Sequence, residues 1–267
     1  SNPTDAEKVT MVAVGGYGRG RLAPGSDIDL LFLLPYKRTA ASESFVEYVL
    51  YMLWDMGLKV GHATRSITDC VTQAQNDMTI RTSMLESRFL WGAASLYADF
   101  RETFAQKIMR GTASEFVTAK LDERDARHER AGRSRYLVEP NLKESKGGLR
   151  DLNTLFWIAR YSYQVEALDA LVDLKVLTAD ELKLFRKCDA FLWQVRCHLH
   201  FNTGRAEERL SFDVQKSLAE HFYPMKEAKE GAAGMKPVEK FMRRYFLVAK
   251  SIGDLTAIFC ASLEESQ

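Results

Sequence analysis

Runs of apolar residues near the start of the chain predict short, buried strands. Val9–Val14 and Leu30–Leu34 are apolar at nearly every position, which is typical of strands that are covered on both faces. A glycine-rich turn and a polar stretch separate the two segments. Leu58–Ala63 alternates more weakly, and we expect it to supply the third strand of a small mixed sheet.

Most of the remaining chain has apolar residues at helical spacing. In chain order, helices are predicted over residues 42–56, from 68, over 77–91, over 95–136 with a break at 111–112, from 149, and over 179–200, 214–221 and 238–263. Because no strand is predicted after residue 63, we expect an α+β fold. A sheet domain would span residues 1–93, and an all-helical domain would span residues 94–267.

Composition narrows the classes of partner. The 267 residues carry a net charge of +1, without the basic excess that is typical of nucleic-acid-binding proteins. The four cysteines are scattered, which suits a reducing compartment. No apolar run approaches the length of a membrane span, and no signal peptide is visible. We therefore expect a cytoplasmic protein with neither a nucleic-acid nor a membrane partner.

Two acids open the second predicted strand. Residues two apart in a strand point the same way, so Asp27 and Asp29 present their carboxylates on one side while Ile28 faces the other. Like charges held this close need a cation or several donors to neutralise them, and a divalent metal is the usual partner of oxygen ligands. The alternative is a glycine-rich hairpin with surface acids. We favour a metal site because the pair leads into a buried strand.

The residues around this acid pair suit a phosphate group. Gly15 and Gly16 follow the first predicted strand, and glycine lets backbone N–H groups approach a phosphate without interference from a Cβ atom. Ser26 adds a hydroxyl beside the acids. The glycine spacing matches neither the dinucleotide-binding fingerprint nor the P-loop.

A second glycine loop precedes the helix predicted from residue 149. The glycines at 147–148 feed the N-terminus of that helix, and Lys143 and Arg150 lie nearby in the sequence. Such an arrangement could hold a triphosphate through its cations and the helix dipole together. The alternative is an ordinary loop with Asp151 in the first helical turn, and the spacing alone fits both interpretations equally.

Three motifs carry a resemblance to known families. The two glycines followed by S-D-I-D-L-L resemble the signature of the polymerase-β-like nucleotidyltransferase superfamily. Longer stretches are similar to the bifunctional uridylyltransferase/uridylyl-removing family, which modifies the nitrogen signalling protein PII. These stretches are G-G-Y-G-R-G-R-L-A-P-G-S-D-I-D-L-L, P-N-L-K-E-S-K-G-G-L-R-D and H-L-H-F-N-T-G-R-A-E-E-R-L, and together they reach across nearly the whole chain.

The resemblance implies a fold, a reaction and a set of site residues. The fold is the small mixed sheet of a polymerase-β-like nucleotidyltransferase domain followed by an all-helical domain. The reaction is Mg²⁺-dependent transfer of UMP from UTP to a tyrosine hydroxyl of PII, with release of pyrophosphate. Asp27 and Asp29 would hold two Mg²⁺ ions. The residues expected to contact phosphates are Gly15, Gly16, Ser26, Lys143 and Arg150.

The chain departs from the family pattern beside the acids. The superfamily often has a third carboxylate on the neighbouring strand, but here that strand offers only His62. Asp77 and Glu86 are the nearest candidates for the general base, and we rank Asp77 first, although an acid at a helix start is more often a cap. Arg65 either contacts phosphate or pairs with an acid.

Further expectations concern other activities. None of the five histidines is followed by Asp, so we expect no HD domain and no uridylyl removal. The glutamine-sensing ACT domains of the family would lie beyond the last residue. Rival hypotheses stay open at this point: the chain could transfer another nucleotide, as in adenylylation, could use another acceptor, or could bind a nucleotide or partner without turnover.

Overall fold

The computed structural model describes residues 8–131, 137–224 and 235–265. By packing, the chain divides into two compact units. The sheet unit comprises Ser1–Leu22 and Ser26–Phe116, and the helical unit comprises Ala23–Gly25 and Val117–Gln267. The domain boundary after residue 93 stays a prediction of the sequence, while the compact unit that holds the sheet extends to Phe116.

The strands form one mixed sheet. They are β1 (Thr10–Ala13), β2 (Ile28–Leu34), β3 (Val60–Ser66) and β4 (Arg88–Gly92). Their order is β3-β2-β1-β4. β1 is antiparallel to both of its neighbours, whereas β2 and β3 run parallel. The predicted α+β class with a small mixed sheet is confirmed.

Helices cover both faces of the sheet. In chain order they are α1 (Gly15–Gly18), α2 (Ala40–Asp55), α3 (Ile67–Asn76), α4 (Met78–Leu85) and α5 (Ala94–Phe104), which continues as a π-helical turn at Ala105–Met109. On one face, Val46 and Val49 of α2 pack with Phe32 of β2. On the other face, the Tyr97 ring of α5 lies 5.8 Å from the Phe89 ring of β4. The central strand β2 is therefore buried on both sides.

β4 corrects the helix that was predicted over residues 77–91. The helix ends at Leu85, and the following segment pairs with the edge of β1 that β2 leaves free, with Phe89 opposite Val12. The apolar residues of this short segment fit the periodicity of a helix as well as that of a strand. Pairing decides the outcome because the buried N–H and C=O groups along that edge of β1 require hydrogen-bond partners.

The helical unit has one apolar core. Its helices are α6 (Ala113–Arg130), which begins in the sheet unit, α7 (Leu149–Tyr163), α8 (Ala170–Asp173), α9 (Ala179–Thr203), α10 (Phe212–Phe222) and α11 (Pro237–Glu265). Leu152 of α7, Leu192 of α9 and Tyr245 of α11 are all buried in the same cluster. The expectation of an all-helical part after the sheet is confirmed.

α11 is long and strongly apolar. Among the described residues it is the helix whose length and composition would allow it to cross a membrane, although no run of that length was expected. Its residues Phe241, Ile252 and Phe259 are at most 2% exposed and belong to the core of the helical unit. Core packing accounts for these buried residues, whereas Leu247 and Ile258 of the same helix are exposed.

The loop before α7 packs directly against α11. Gly147 has a φ of +79°, and a Cβ atom there would lie 2.7 Å from both Cα and Cβ of Ala249. Glycine alone combines this backbone conformation with so close an approach. Gly147 therefore has a packing role that does not involve a ligand.

Gly147→Ala should lower the free energy of unfolding by about 2–5 kcal/mol, because the left-handed backbone and overpacking against α11 both disfavour alanine. Gly204→Ala is the matched control, since Gly204 has a φ of +65° but nothing lies within 4 Å of its added Cβ. The control should cost about 1–2 kcal/mol. Chemical denaturation measures both losses, and equal values would contradict the packing role of Gly147.

Candidate active site

Asp27 and Asp29 lie at the start of β2. Asp27 precedes the strand and is exposed, whereas Asp29 is the second strand residue and is half-buried. The strand continues into the core through Leu30–Leu34. The carbonyl oxygen of Asp29 accepts a hydrogen bond from the Val14 N–H at 3.1 Å. The backbone that carries the acid pair is thus fixed by the sheet.

Two glycines bound the carboxylate of Asp29. Gly61 lies opposite Asp29 in the parallel pair of β2 and β3, and a Cβ atom there would come within 2.8 Å of Asp29 Oδ1. Gly15 has a φ of +55°, and its Cβ would lie 3.3 Å from Asp29 Oδ2. Any side chain at position 61 would displace the carboxylate. The position of Asp29 therefore depends on glycine in a neighbouring strand.

The glycine-rich turn forms a single helical turn, α1, and two cations anchor it. Arg19 forms an ion pair with Glu86, whose side chain is 2% exposed. Arg88 donates to the carbonyl oxygens of Tyr17 and Gly18, at 3.0 and 3.2 Å. Both contacts connect the C-terminal end of α1 to the segment that enters β4. Because the cations hold this end, α1 keeps a defined orientation.

The opposite end of α1 presents open N–H groups. Val14 is the N-cap and makes no side-chain hydrogen bond to the helix. Within the part of the chain that the structure describes, no group accepts a hydrogen bond from the N–H of Gly15 or Gly16. Unpaired N–H groups at a helix start attract anions. Phosphate contact by these glycines, and by the half-buried Ser26, stays a prediction.

The described residues supply no third acid beside the pair. Across residues 8–131, 137–224 and 235–265, no three His, Cys, Asp or Glu side chains form a group that could hold a metal ion. Asp77 caps α4, because its Oδ1 accepts two backbone N–H groups of the first turn at 2.7 and 3.0 Å. Glu86 is engaged by Arg19. The capping alternative for Asp77 is present in the structure, and its role as a general base stays a prediction.

Arg65 lies along the strand from the acids. It is four positions beyond Gly61 in β3, and Gly61 pairs with Asp29, so its backbone is about 13 Å from that pair. The pKa of Asp69 is lowered chiefly by hydrogen bonds from Ser66, with smaller contributions from the charges of Arg38 and Arg65. Both alternatives for Arg65, contact with phosphate and pairing with an acid, stay predictions.

The loop at residues 141–148 uses most of its N–H groups internally. Asn141 Oδ1 accepts from the N–H groups of Lys143 and Glu144, at 2.9 and 2.8 Å. The buried Ser145 accepts from the Asn141 N–H through its hydroxyl oxygen at 2.9 Å. These bonds close the loop on itself. What the loop offers a ligand is therefore its side chains rather than a backbone cradle.

Asp151 organises this loop from inside. It is 3% exposed, and its carboxylate accepts hydrogen bonds from Arg127 at 2.5 Å and from the Gly147 N–H at 2.7 Å. His128 Nε2 lies 2.9 and 3.0 Å from its two oxygens. Burial would raise the pKa of Asp151, but hydrogen bonding and charge from His128 and Arg127 hold it below its ordinary value. Asp151 lies in the first turn of α7, and whether the loop it holds binds a triphosphate stays a prediction.

Lys143 belongs to a basic cluster beside the loop. Burial lowers the pKa of its ammonium group, and the positive charges of Arg150 and Arg196 lower it further, while Glu144 and Glu208 oppose the shift. Arg150 contacts Glu144 at 3.3 Å, and Arg196 binds Glu208 at 2.5–3.1 Å. No acid in the described ranges forms an ion pair with Lys143. A half-buried lysine that forms no ion pair with an acid in the described ranges, and that lies near two arginines, suits an anion.

Sequence reasoning missed three residues of these sites. Gly61 could have been found, because an isolated glycine in a strand pattern signals a close backbone approach. Arg19 lies among glycines, and its ion-pair partner, the buried Glu86, is distant in the sequence, so no local pattern connects the two. Arg196 has the spacing of an ordinary helix residue, so nothing in the sequence marks it as a neighbour of Lys143.

Two family models match the chain, one in its N-terminal third and one in its C-terminal half. A model described as a nucleotidyltransferase domain matches residues 3–89. A model described as GlnD PII-uridylyltransferase matches residues 115–260, which is more than half of the chain. The first match contains both aspartates, and the second contains the loop that carries Lys143.

Curated relatives align over almost all of the chain. Proteins named bifunctional uridylyltransferase/uridylyl-removing enzyme are 58% identical to it in Bradyrhizobium diazoefficiens, 56% in Rhodopseudomonas palustris and 57% in Nitrobacter hamburgensis, each over 265 residues. Each alignment covers 99% of this chain and 28% of the relative. The chain therefore spans a little over a quarter of the length of the relatives it matches.

Divalent-cation binding by the acid pair is a prediction, and on it Gly61→Ala should weaken that binding by about 10-fold or more, because the new Cβ displaces Asp29 Oδ1. Calorimetric titration with Mn²⁺ measures the affinity. Gly57→Ala is the control: Gly57 has a φ of +76° with open space around its added Cβ, so this variant loses stability without touching the acids. Wild-type Mn²⁺ affinity in Gly61→Ala would show that the glycine contact does not matter.

Proposed function

Because the chain belongs to the GlnD PII-uridylyltransferase family, we propose that it transfers UMP from UTP to a tyrosine hydroxyl of PII and releases pyrophosphate. The observation that carries this proposal is the acid pair on β2, with the Asp29 carboxylate bounded by Gly15 and Gly61. The proposal covers transfer alone. The relatives' names also include uridylyl removal. Because the chain spans only 28% of their length, that second activity is not included in the proposal.

Asp27 and Asp29 fit a magnesium site by the chemistry of their donors. Carboxylate oxygens are the protein ligands that Mg²⁺ prefers, usually one or two of them together with substrate phosphates and water. Asp27 is exposed and Asp29 is half-buried at the start of its strand, so both can reach a ligand. When bound, two Mg²⁺ ions would supply charge stabilisation for the phosphates and lower the pKa of the attacking hydroxyl.

The chain's own groups orient the nucleotide in this proposal. The N–H groups of Gly15 and Gly16 and the hydroxyl of Ser26 would bind phosphate oxygens next to the acids. Within the helical unit, Lys143 and Arg150 offer the positive charge that a triphosphate requires. Positioning and charge stabilisation supply most of the catalysis in phosphoryl transfer, so these contacts are the ones that matter for rate.

One rival function is favoured by a specific observation. Among the described residues no third carboxylate completes a metal group, which would suit a module that binds nucleotide without turnover. Tight UTP binding with no pyrophosphate release in the presence of PII would support that rival.

The donor and the acceptor need their own comparison. The two carboxylates do not distinguish one nucleotide base from another, so ATP, CTP and GTP must be compared with UTP as donors. Candidate acceptors other than PII must likewise be compared with PII.

Asp27→Asn and Asp29→Asn should each reduce Mg²⁺-dependent pyrophosphate release by about 10³-fold or more, because either change removes a charged metal ligand and several kcal/mol of transition-state stabilisation. The assay contains UTP, Mg²⁺ and PII. Thermal unfolding of both variants should match the wild type, since each change conserves shape. Near-native turnover in either variant would rule out the assigned site.

Lys143→Met should raise the KM for UTP by about 10-fold or more, because a charge-assisted contact to phosphate is removed while the aliphatic packing remains. Lys146→Met, in the same loop, is the matched control and should leave KM within about 2-fold of the wild type. Steady-state kinetics of pyrophosphate release measures both. Equal effects at the two positions would argue for general electrostatic attraction and against a specific site.

A further inference from the structure

A buried histidine holds the loop that precedes the two aspartates. The Gly25 N–H donates to His200 Nδ1 at 3.1 Å. His200 lies near the C-terminal end of α9 and is 1% exposed. Gly25 and His200 both belong to the helical unit, and the chain passes to the sheet unit at Ser26, one residue before Asp27.

Backbone packing at Gly25 reinforces this contact. A Cβ atom at Gly25 would lie 2.7 Å from the nitrogen of Ala206 and 2.9 Å from the carbonyl carbon of Arg205. Ala23, two residues earlier, is 1% exposed. The segment 23–25 therefore lies directly on the backbone that follows α9, and only glycine fits at position 25.

The protonation of His200 follows from its neighbours. Because Nδ1 accepts a hydrogen bond, the ring proton of the neutral form is on Nε2, which faces Glu208 Oε1 at 3.5 Å. That separation is too long for a good hydrogen bond, and the buried Nε2 has no hydrogen-bond partner among the described groups. Glu208 is held in turn by Arg196. The negative charge of Glu208 thus favours the ring orientation in which the Nε2–H of His200 faces it.

We propose that His200 is a positioning residue for nucleotidyl transfer, which fixes the backbone leading into Asp27 by accepting the Gly25 N–H. The catalytic part of this inference rests on the proposed function, in which Asp27 binds metal. A single hydrogen bond at the last residue before Ser26 restricts the conformations open to the next two residues. Loss of that bond would loosen Asp27 without removing any atom of the acid pair.

The contact requires a neutral imidazole, because a protonated ring would present an N–H to the Gly25 N–H. Burial lowers the pKa of His200; Glu208 and the backbone of Glu207 oppose this shift, and the charge of Arg196 adds to it. The pKa lies below its ordinary value of 6.5, so the contact is intact at neutral pH. It is lost as the pH falls through the lowered value.

His200→Leu should reduce kcat by about 10-fold while the KM for UTP stays within about 2-fold, because the buried Gly25 N–H loses its acceptor. His200→Asn should retain most of the wild-type kcat, since its Oδ1 can accept at nearly the position of Nδ1. His198→Leu is the control on the same helix, where the half-buried His198 ring lies 3.8 Å from the His221 ring. It should leave kcat unchanged.

A second measurement separates this inference from the proposed function. Amide hydrogen exchange across residues 23–29 should speed up in His200→Leu and not in His198→Leu, whether or not the protein turns over UTP. If wild-type protein transfers no UMP, the proposed function fails, and exchange alone decides whether His200 orders the segment. Unchanged exchange in His200→Leu would overturn the inference, as would an equal fall of kcat in His198→Leu.

A pH profile covers the case in which His200→Leu does not fold. Asparagine does not titrate, so His200→Asn should keep its kcat as the pH falls below neutrality, whereas wild-type protein should lose activity once the pH falls through the lowered pKa of His200. His198→Asn should follow the wild-type profile. Coinciding profiles for His200→Asn and wild type would overturn the inference.

Discussion

The steric limit around the Asp29 carboxylate is the constraint on which the candidate active site depends. Gly61 leaves room for one carboxylate oxygen and Gly15 for the other. A slip of one residue in the pairing of β2 and β3 would turn Asp29 to the opposite face of the sheet and bring a side chain against it. The register is held by the buried residues Leu30–Leu34. Core packing of the residues that follow Asp29 therefore determines where the carboxylate lies.

A second constraint acts within the helical unit, where residues 205–210 contact two separate loops. The Leu142 N–H donates to the Glu208 carbonyl at 2.7 Å, and the Leu210 N–H donates to the Pro140 carbonyl at 2.8 Å. Gly25 packs on the start of the same segment. The loop before the aspartates and the loop that carries Lys143 thus contact the same backbone segment. Any movement of that segment would displace both loops.

The parts of the fold that could be predicted are those with strong local patterns. The long helices that begin at residues 149, 179 and 237 have apolar positions at helical spacing, and they form where that spacing placed them. β4 escaped prediction because its apolar residues suit a helix as well as a strand, and only the free edge of β1 selects the strand. The glycines at 147–148 fitted a phosphate loop or an ordinary loop before a helix equally. The proximity of Ala249 shows that Gly147 makes a packing contact.

The sequence by itself determined the chemistry that the chain can offer: two acids on one strand, a glycine turn beside them, and a cationic loop far along the chain. Residue types and short-range spacing carry that information, because side-chain chemistry and strand alternation are local properties. Tertiary structure alone decided which groups meet. The pairing of Gly61 with Asp29 and the hydrogen bond from Gly25 to His200 are contacts between residues distant in the chain. Only the packing of sheet and helices brings such residues within a few ångströms of each other.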